Sequence, residues 1–268
     1  MITKQTIAFT TIQAPIHDFI IEDLASYVTS RLQIPSQFVI DIPWQERERW
    51  IDSGEIDVAW ICGLPYVVRA DLGQPDLELL AAPVMVGERY HNQPIYFSDV
   101  IVRAERHFQS FADLHGTNWA YNEPGSQSGY NITLYHLATI DAPIPFFGRI
   151  LEAGSHENCI QRVLDGDADA AAIDSTVLDL ACEQDERIHD HLRVIATLGP
   201  SPIPPLVISK SVDPDLREAI RAVILEMHED PDGCQILERG KIRRFQHVRD
   251  TDYDSIRVMA REVRDAQF

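Results

Sequence analysis

The sequence contains few cysteines, and none of them stands in a metal-binding pattern. The four, Cys62, Cys159, Cys182 and Cys234, are widely separated. No two have the Cys-x-x-Cys spacing, and no histidine accompanies them at metal-ligand spacing, so a zinc site is not expected. One or two disulfides are compatible with this count, but four free, buried thiols is the simpler interpretation. We therefore expect neither a bound metal nor a cofactor.

A net positive charge is also missing. The chain has 23 Lys and Arg against 42 Asp and Glu, which gives a formal charge of −19. Such an acidic chain is poorly suited to nucleic acid or to an anionic membrane as its main partner. A small anionic ligand is still compatible with this charge. Charges are screened over about 8 Å at physiological salt, so a few donors lining a cleft outweigh distant carboxylates.

Long apolar segments are absent as well. No stretch approaches the roughly 18 apolar residues of a membrane-spanning helix. The N-terminal residues run into a strand pattern without the charged start and apolar core of an export signal. This predicts either a cytoplasmic chain or the mature form of an exported one. The composition, 45% hydrophobic and 24% charged over 268 residues, is that of a globular protein with a substantial core.

Strand and helix patterns alternate along the chain. The N-terminal part reads strand, helix, strand, helix, and then the almost fully apolar Ile56–Ile61, which suits a buried central strand. This order predicts an α/β lobe with parallel pairing. A helix followed by a glycine-acidic turn and a strand occurs twice, at Gly54-Glu-Ile-Asp-Val-Ala and at Asp165-Gly-Asp-Ala-Asp-Ala. Two similar lobes would explain this repetition.

One polar stretch combines the features of an oxyanion site. A short strand pattern, Thr117–Tyr121, is followed by the turn residues Asn-Glu-Pro-Gly, and Ser126 and Ser128 stand where a helix would begin. A serine there caps free backbone N–H groups, which carry the positive end of the helix dipole. A strand, a turn and a helix start together suit a small oxyanion. An ordinary capped helix is the alternative interpretation.

Several short segments in a fixed order carry a resemblance to a known family. They are Gly54-Glu-Ile-Asp-Val-Ala-Trp with Gly63-Leu-Pro-Tyr66, Tyr96-Phe-Ser-Asp-Val-Ile-Val, Asn122–Tyr130, Ser155-His-Glu-Asn158, Asp174-Ser-Thr-Val177 and Ser201-Pro-Ile-Pro204. As a set, they resemble the phosphate- and phosphonate-binding proteins of ATP-driven transporters. This family is a branch of the type-II periplasmic binding proteins.

The resemblance implies two α/β lobes with mixed, mostly parallel sheets, joined by two extended hinge crossings with the ligand clamped between the lobes. Lobe one would hold residues 1–97 and 200–268, and lobe two residues 98–199. The crossings would lie at about 96–102 and 199–205. The implied partners are a small anionic ligand and, in an exported protein, the permease of an ABC transporter. The implied location is periplasmic.

The resemblance also implies a set of ligand contacts. Ser126, Gln127 and Ser128 would grip the phosphonate oxygens at the helix start, and Tyr96 and His156 would also contact the ligand. Gln127 stands where relatives often have threonine. The candidate acidic contact is Asp174, which could instead cap the following helix.

The return crossing affects the expected ligand. Relatives that bind aminoalkyl phosphonates place a carboxylate near this crossing, whereas this chain has Ile203-Pro204-Pro205 there. We therefore do not expect 2-aminoethyl phosphonate as the ligand, and phosphate, phosphite, a simple alkyl phosphonate or another oxyanion fits the sequence as well.

Two other function classes share this scaffold. One is a cytoplasmic enzyme of cofactor biosynthesis, and the other is a soluble ligand sensor. The only candidate catalytic side chains in the sequence are His156 and Asp174, so we expect a binding protein rather than an enzyme. A homodimer through the C-terminal helix is compatible with the sequence, although the helix pattern does not require one.

Overall fold

The computed structural model describes residues 6–73 and 76–268. The prediction that the N-terminal residues lack the features of an export signal falls partly on residues 1–5, which lie outside this range. The chain forms two compact units: the described residues up to Ile95 with Pro202–Tyr253, and Tyr96–Ser201 with Asp254–Phe268. Within the described residues, no helix has the length and apolar character needed to cross a membrane. No disulfide joins the four cysteines, all of which lie in the described ranges, but only Cys159 is buried and Cys234 is exposed, so the prediction that all four are buried is wrong.

Strands and helices alternate along most of the described chain. The strands are β1 Ile7–Thr11, β2 Ser36–Phe38, β3 Val58–Trp60, β4 Leu77–Met85, β5 Ile95–Arg103, β6 Asn118–Tyr121, β7 Arg149–Glu152, β8 Ala170–Asp174, β9 Leu192–Pro202, β10 Leu206–Ser209 and β11 Ile242–Gln246. The α-helices are α1 Asp18–Leu32, α2 Trp44–Ser53, α3 Gly63–Leu72, α4 Ile132–Thr139, α5 His156–Asp165, α6 Ser175–Gln184, α7 Glu186–His191, α8 Pro214–Leu225, α9 Pro231–Arg239 and α10 Asp254–Glu262.

The first unit is built on a six-stranded sheet with the order β11-β4-β10-β3-β1-β2. Strand β1 pairs in parallel with both β2 and β3, as expected for strands connected through helices. The sequence predicted mostly parallel sheets. Strands β10 and β11 belong to the returning part of the chain and add antiparallel pairs with β3 and β4. All of β3 is buried, which fits its apolar sequence.

The second unit has a five-stranded sheet with the order β7-β6-β8-β5-β9. Strand β6 is parallel to β7 and β8, while β5 is antiparallel to β8. An aromatic core packs beside β6, where the rings of Trp119 and Phe147 stack with centroids 4.5 Å apart. Both units thus share a strand-helix-strand-helix-strand arrangement with equivalent strand order, β2-β1-β3 and β7-β6-β8. The prediction of a two-lobe α/β fold with mixed sheets is confirmed.

Strand β9 extends further than its sequence suggests. The proline-rich Gly199–Pro205 was predicted to be an extended crossing, but its first residues continue β9 as far as Pro202. Proline lacks the N–H needed inside a sheet and is accepted on an edge strand. Strand β9 lies at the edge of its sheet, so only one of its sides pairs with a neighbour.

The C-terminal helix α10 belongs to the second unit, whereas the sequence analysis assigned all of 200–268 to lobe one. Its buried residues include Ile256, and it packs against α4 and the turn before α4. An amphipathic pattern predicts a buried face but does not identify the surface that covers it. These contacts explain the buried face of α10 without a second copy of the chain. The homodimer through this helix stays a prediction.

Candidate functional site

The candidate site lies at the carboxyl edge of the second sheet. Strands β6 and β8 are parallel neighbours, and the chain that follows them proceeds to opposite sides, to β7 after β6 and to β9 after β8. In open α/β sheets, ligands bind at such a switch point, beyond the carboxyl ends of the strands. The segments that begin there are Asn122–Ser126 after β6 and Asp174–Ser175 after β8.

The helix after β6 begins with a widened turn. Residues Gln127–Asn131 form a π-helical turn that leads into α4, with the Asn131 N–H bonded to the Ser126 carbonyl at 3.0 Å. The Ser126 side chain caps this turn, since its Oγ accepts the Gly129 N–H at 3.0 Å. Turns of this type are frequent at functional sites. The predicted serines therefore do stand at a helix start, and both are buried.

A buried serine–histidine contact lies beside this turn. The Oγ of Ser128 and the Nε2 of His156 are 3.0 Å apart. His156 is the first residue of α5, which follows β7, the parallel neighbour of β6. When Nε2 carries the ring proton, it donates to Ser128, and the hydroxyl proton of Ser128 can then be donated to another acceptor. Two sequence-predicted residues that are distant in sequence thus meet at one point.

Asn122 and Gly129 also belong to this helix start, although neither is among the ligand contacts predicted from the sequence. Asn122 is buried, and a Cβ placed on Gly129 would lie 2.0 Å from its Oδ1 and 3.3 Å from His156 Cε1. Glycine at position 129 therefore lets both side chains approach the backbone of the helix start. The only sequence signal for this contact is the glycine that directly follows Ser128.

The side chain of Gln127 is engaged with other parts of the second unit. Its Nε2 donates to Ser201 Oγ at 3.3 Å and contacts Met259 Sδ at 3.2 Å, while its Oε1 accepts from Asn131 Nδ2 at 2.7 Å. The amide therefore connects the helix start to the end of β9 and to α10. A contact between Gln127 and ligand stays a prediction.

Tyr96 and Asp174 lie at the same edge of the sheet. Strands β5 and β8 are antiparallel, with Ser98 opposite Asp174, so the beginning of β5 adjoins the carboxyl end of β8. The Phe97 N–H donates to Ser175 Oγ at 3.1 Å, which holds the two segments together. Tyr96 is buried there. The structure therefore brings all six predicted site residues to this edge, whereas their contacts with ligand stay predictions.

The carboxylate of Asp174 caps α6. Its Oδ1 accepts the Thr176 N–H at 2.8 Å and the Thr176 hydroxyl at 2.7 Å. Burial raises the pKa of Asp174 to about 6, and the nearby charge of Asp99 adds to this, whereas the bonds from Thr176 and Val177 oppose it. Of the two roles predicted for Asp174, the structure therefore shows the helix cap, and a contact with ligand stays a prediction.

This pKa predicts a pH dependence of stability. An unfolded Asp has a pKa of about 3.9, so the folded state binds the proton more tightly. The stabilisation by protonated Asp174 is complete below about pH 4 and is lost as the pH rises through about 6. Asparagine cannot ionise, and its side-chain oxygen can still cap α6. At pH 8, where Asp174 of the wild type is ionised, we therefore expect Asp174→Asn to have a free energy of unfolding about 1–3 kcal/mol higher than the wild type.

Urea unfolding at pH 4, 6 and 8 measures this difference. The gain in the free energy of unfolding should shrink to about a few tenths of a kcal/mol at pH 4, because Asp174 of the wild type is then protonated in the folded state and about half protonated in the unfolded state. Asp169→Asn provides a contrast, since Asp169 pairs with Arg106 in the same unit and should lose stability on substitution. A difference between Asp174→Asn and wild type that does not change with pH would contradict the raised pKa.

Comparison with known proteins identifies the family. Residues 20–253 match the family described as ABC transporter, phosphonate, periplasmic substrate-binding protein. The chain therefore belongs to this family, whose members are the substrate-binding components of phosphonate transporters. Its function class is solute binding for an ABC transporter.

Solved structures share the fold. PhnD1 from Prochlorococcus marinus (MIT 9301), solved with methylphosphonate, has a TM-score of 0.85 and 17% identity over 98% of this chain and 99% of that one. A binding protein component of an ABC phosphonate transporter from Pseudomonas aeruginosa has a TM-score of 0.82 and 18% identity, covering 96% and 85%. XAC2383 from Xanthomonas citri, bound to ATP, has a TM-score of 0.73 and 17% identity, covering 98% of each chain.

Proposed function

We propose that this chain binds a small phosphorus oxyanion at the helix start after β6 and delivers it to an ABC transporter in the periplasm. The candidate ligands are phosphate, phosphite and a simple alkyl phosphonate. The observation that carries the proposal is the buried Ser128–His156 pair beside the capped turn of Ser126. Membership of the phosphonate-binding family and the methylphosphonate in a structural neighbour support it.

The available donors are sufficient for useful affinity. A hydrogen bond to a charged group contributes about 1.5–3 kcal/mol net, and a micromolar ligand requires about 8 kcal/mol. The hydroxyls of Ser126 and Ser128 with the N–H groups of the first turn supply four or five such bonds, and the helix dipole favours the anion further. The family's clamping of the ligand by hinge closure stays a prediction for this chain.

A binding role fits this site better than a catalytic one. The Ser128–His156 spacing is within reach for a nucleophile and its base. The family to which the chain belongs nevertheless carries solutes, and the serine stands at a helix start that suits a bound anion. We therefore propose that the histidine positions the Ser128 hydroxyl and does not activate it for attack.

Calorimetric titration with methylphosphonate, phosphate, phosphite and sulfate tests the proposal. We expect micromolar or tighter binding of at least one phosphorus ligand and weaker binding of sulfate, with ³¹P spectra showing the ligand unchanged after incubation. At one hundred times its Kd, the ligand should stabilise the protein by about 2.7 kcal/mol. Failure of all three phosphorus ligands to bind, or their conversion to product, would rule the proposal out.

A further inference from the structure

The carboxamide of Asn122 lies beside the helix start after β6. Asn122 directly follows β6, and its carbonyl accepts the Gly154 N–H at 2.8 Å, which fixes its backbone. The residue is only 8% exposed, and its Oδ1 is buried without a hydrogen-bond partner in the part of the chain that the structure describes. A buried acceptor that no donor satisfies is unfavourable. Such an atom indicates a donor supplied from outside the chain, by a ligand or by water.

The turn after Ser126 leaves room for this carboxamide. A Cβ at position 129 would lie 2.0 Å from Asn122 Oδ1 and 3.3 Å from His156 Cε1, so glycine is needed there for both side chains to approach. The N–H of Gly129 does not satisfy Oδ1, because it is donated to Ser126 Oγ at 3.0 Å. The unsatisfied oxygen thus adjoins the turn on the side that also faces His156, the partner of Ser128.

Several other buried atoms without a partner have a different setting. Arg106, Arg217 and Arg221 each pair with a carboxylate through another nitrogen of the same guanidinium. Trp119 lies in the aromatic core of the second unit. Asn122 instead combines an unsatisfied acceptor, a place at the carboxyl end of a strand, and contact with a helix start that is proposed to bind an anion. These three features together, and not the missing partner alone, make it a candidate ligand contact.

The rest of the helix start offers mainly donors. The hydroxyls of Ser126 and Ser128 and the N–H groups of the first turn suit ionised oxygens. An acceptor is repelled by an ionised oxygen, whereas a P–O–H group satisfies it. We infer that Asn122 Oδ1 accepts a hydrogen bond from a protonated oxygen of the ligand, so that the site selects the singly ionised, hydrogen-bearing form of a phosphorus oxyanion. The inference deepens the proposed function and rests on it.

This acceptor also discriminates against sulfate. Sulfate is tetrahedral and similar in size, but it carries no proton at neutral pH. Its binding would leave Asn122 Oδ1 beside an ionised oxygen and without a donor. A site built to hydrogen-bond a hydroxyl rejects an analogue that lacks it, because the buried polar group then stays unpaired. Asn122 thus gives a physical reason for weaker binding of sulfate.

Titration calorimetry of the wild type and Asn122→Ala at pH 6 and pH 9 tests the inference. Methylphosphonate carries one proton at pH 6 and has lost it at pH 9. At pH 6 we expect Asn122→Ala to bind methylphosphonate about 10- to 100-fold more weakly than the wild type, the loss of one hydrogen bond to a charged ligand. At pH 9 the difference should fall to about fivefold or less. The affinity for sulfate should not decrease in this variant at either pH.

Titration of the protein itself does not account for such a result. The elements around the turn carry titratable and charged groups that are the same in both proteins, so their effects largely cancel in the ratio of affinities. They include Glu123 after β6, His156 and Glu157 on α5, Asp99 on β5, Asp174 on β8, and the Arg257–Asp254 pair on α10. The wild type alone gives a second test, because its preference for methylphosphonate over sulfate should be larger at pH 6 than at pH 9.

Asn158→Ala is the matched control, because the exposed carboxamide of Asn158 donates to the Ala153 carbonyl at 2.8 Å. This control should lower Tm and keep the wild-type affinities. Asn122→Ala should do the opposite. Since Oδ1 gives up no protein hydrogen bond, we expect its Tm to stay within about 3 °C of the wild type.

Two results would overturn the inference while methylphosphonate binding by the wild type still supports the proposed function. Equal weakening by Asn122→Ala at both pH values would mean that the carboxamide donates to the ligand or only shapes the turn. Unchanged affinity at pH 6, or a preference over sulfate that does not change with pH, would mean that no protonated oxygen contacts Oδ1. If the wild type binds no phosphorus ligand at either pH, the proposed function fails and this inference fails with it.

Discussion

Replacing Ser126 and Ser128 together by alanine is expected to abolish methylphosphonate binding. Each substitution removes a hydroxyl at the buried helix start, and each hydrogen bond to a charged oxygen contributes about 1.5–3 kcal/mol. The combined loss corresponds to an affinity about 10² to 10⁴ times lower. Ser128→Ala also removes the partner of His156 Nε2. Titration calorimetry on the two single variants and the double variant measures the loss and shows whether the two serines act independently.

Stability provides the internal check on this double variant. Ser126 caps the Gly129 N–H, so its loss should cost about 1 kcal/mol and lower Tm by about 2–4 °C. Ser110→Ala is the matched control, because Ser110 caps a short helix elsewhere in the second unit. It should lose similar stability and keep its affinity. A double variant that is folded and binds methylphosphonate as tightly as wild type would place the site elsewhere.

The fold could be predicted from the sequence because its signals are local. Helix α2 ends at Ser53, directly before Gly54, and a glycine after the last residue of a helix is a signal that the sequence itself carries. The repeated glycine-acidic turn before β3 and β8 likewise depends on short stretches of chain. Gly54 and Gly166 adopt left-handed conformations at the ends of α2 and α5, with φ of 79° and 82°. Such positions can be recognised without knowledge of the tertiary structure.

The site could be predicted only in part because its remaining features are contacts between distant segments. The serine cap follows from turn chemistry, but the approach of Asn122 to Gly129 depends on how β6 and the next helix pack. The side chain of Gln127 reaches Met259, and no sequence pattern assigns α10 to this helix start.

Replacing Gly129 by alanine is expected to disrupt the site and to destabilise the protein. The new Cβ would lie 2.0 Å from Asn122 Oδ1, far inside van der Waals contact, and 3.3 Å from His156 Cε1. Relief of this overlap requires movement of Asn122 or of the turn, and overpacking of a buried region typically costs about 1–3 kcal/mol. Because the same turn carries Ser126 and Ser128, we expect a loss of methylphosphonate affinity of at least about tenfold. Urea unfolding and titration calorimetry measure the two effects.

Gly125→Ala is the matched control, since a Cβ on Gly125 would meet nothing within 4 Å. It should keep wild-type stability and affinity, which separates the clash from a general effect of methylation in this loop. Asn122→Ala combined with Gly129→Ala removes the atom that is overlapped, so it should recover most of the stability lost by Gly129→Ala alone. Gly129→Ala could instead have the same free energy of unfolding and the same methylphosphonate affinity as the wild type. In that case, Asn122 and His156 would not pack against this turn, and the helix start would not be the rigid oxyanion site proposed here.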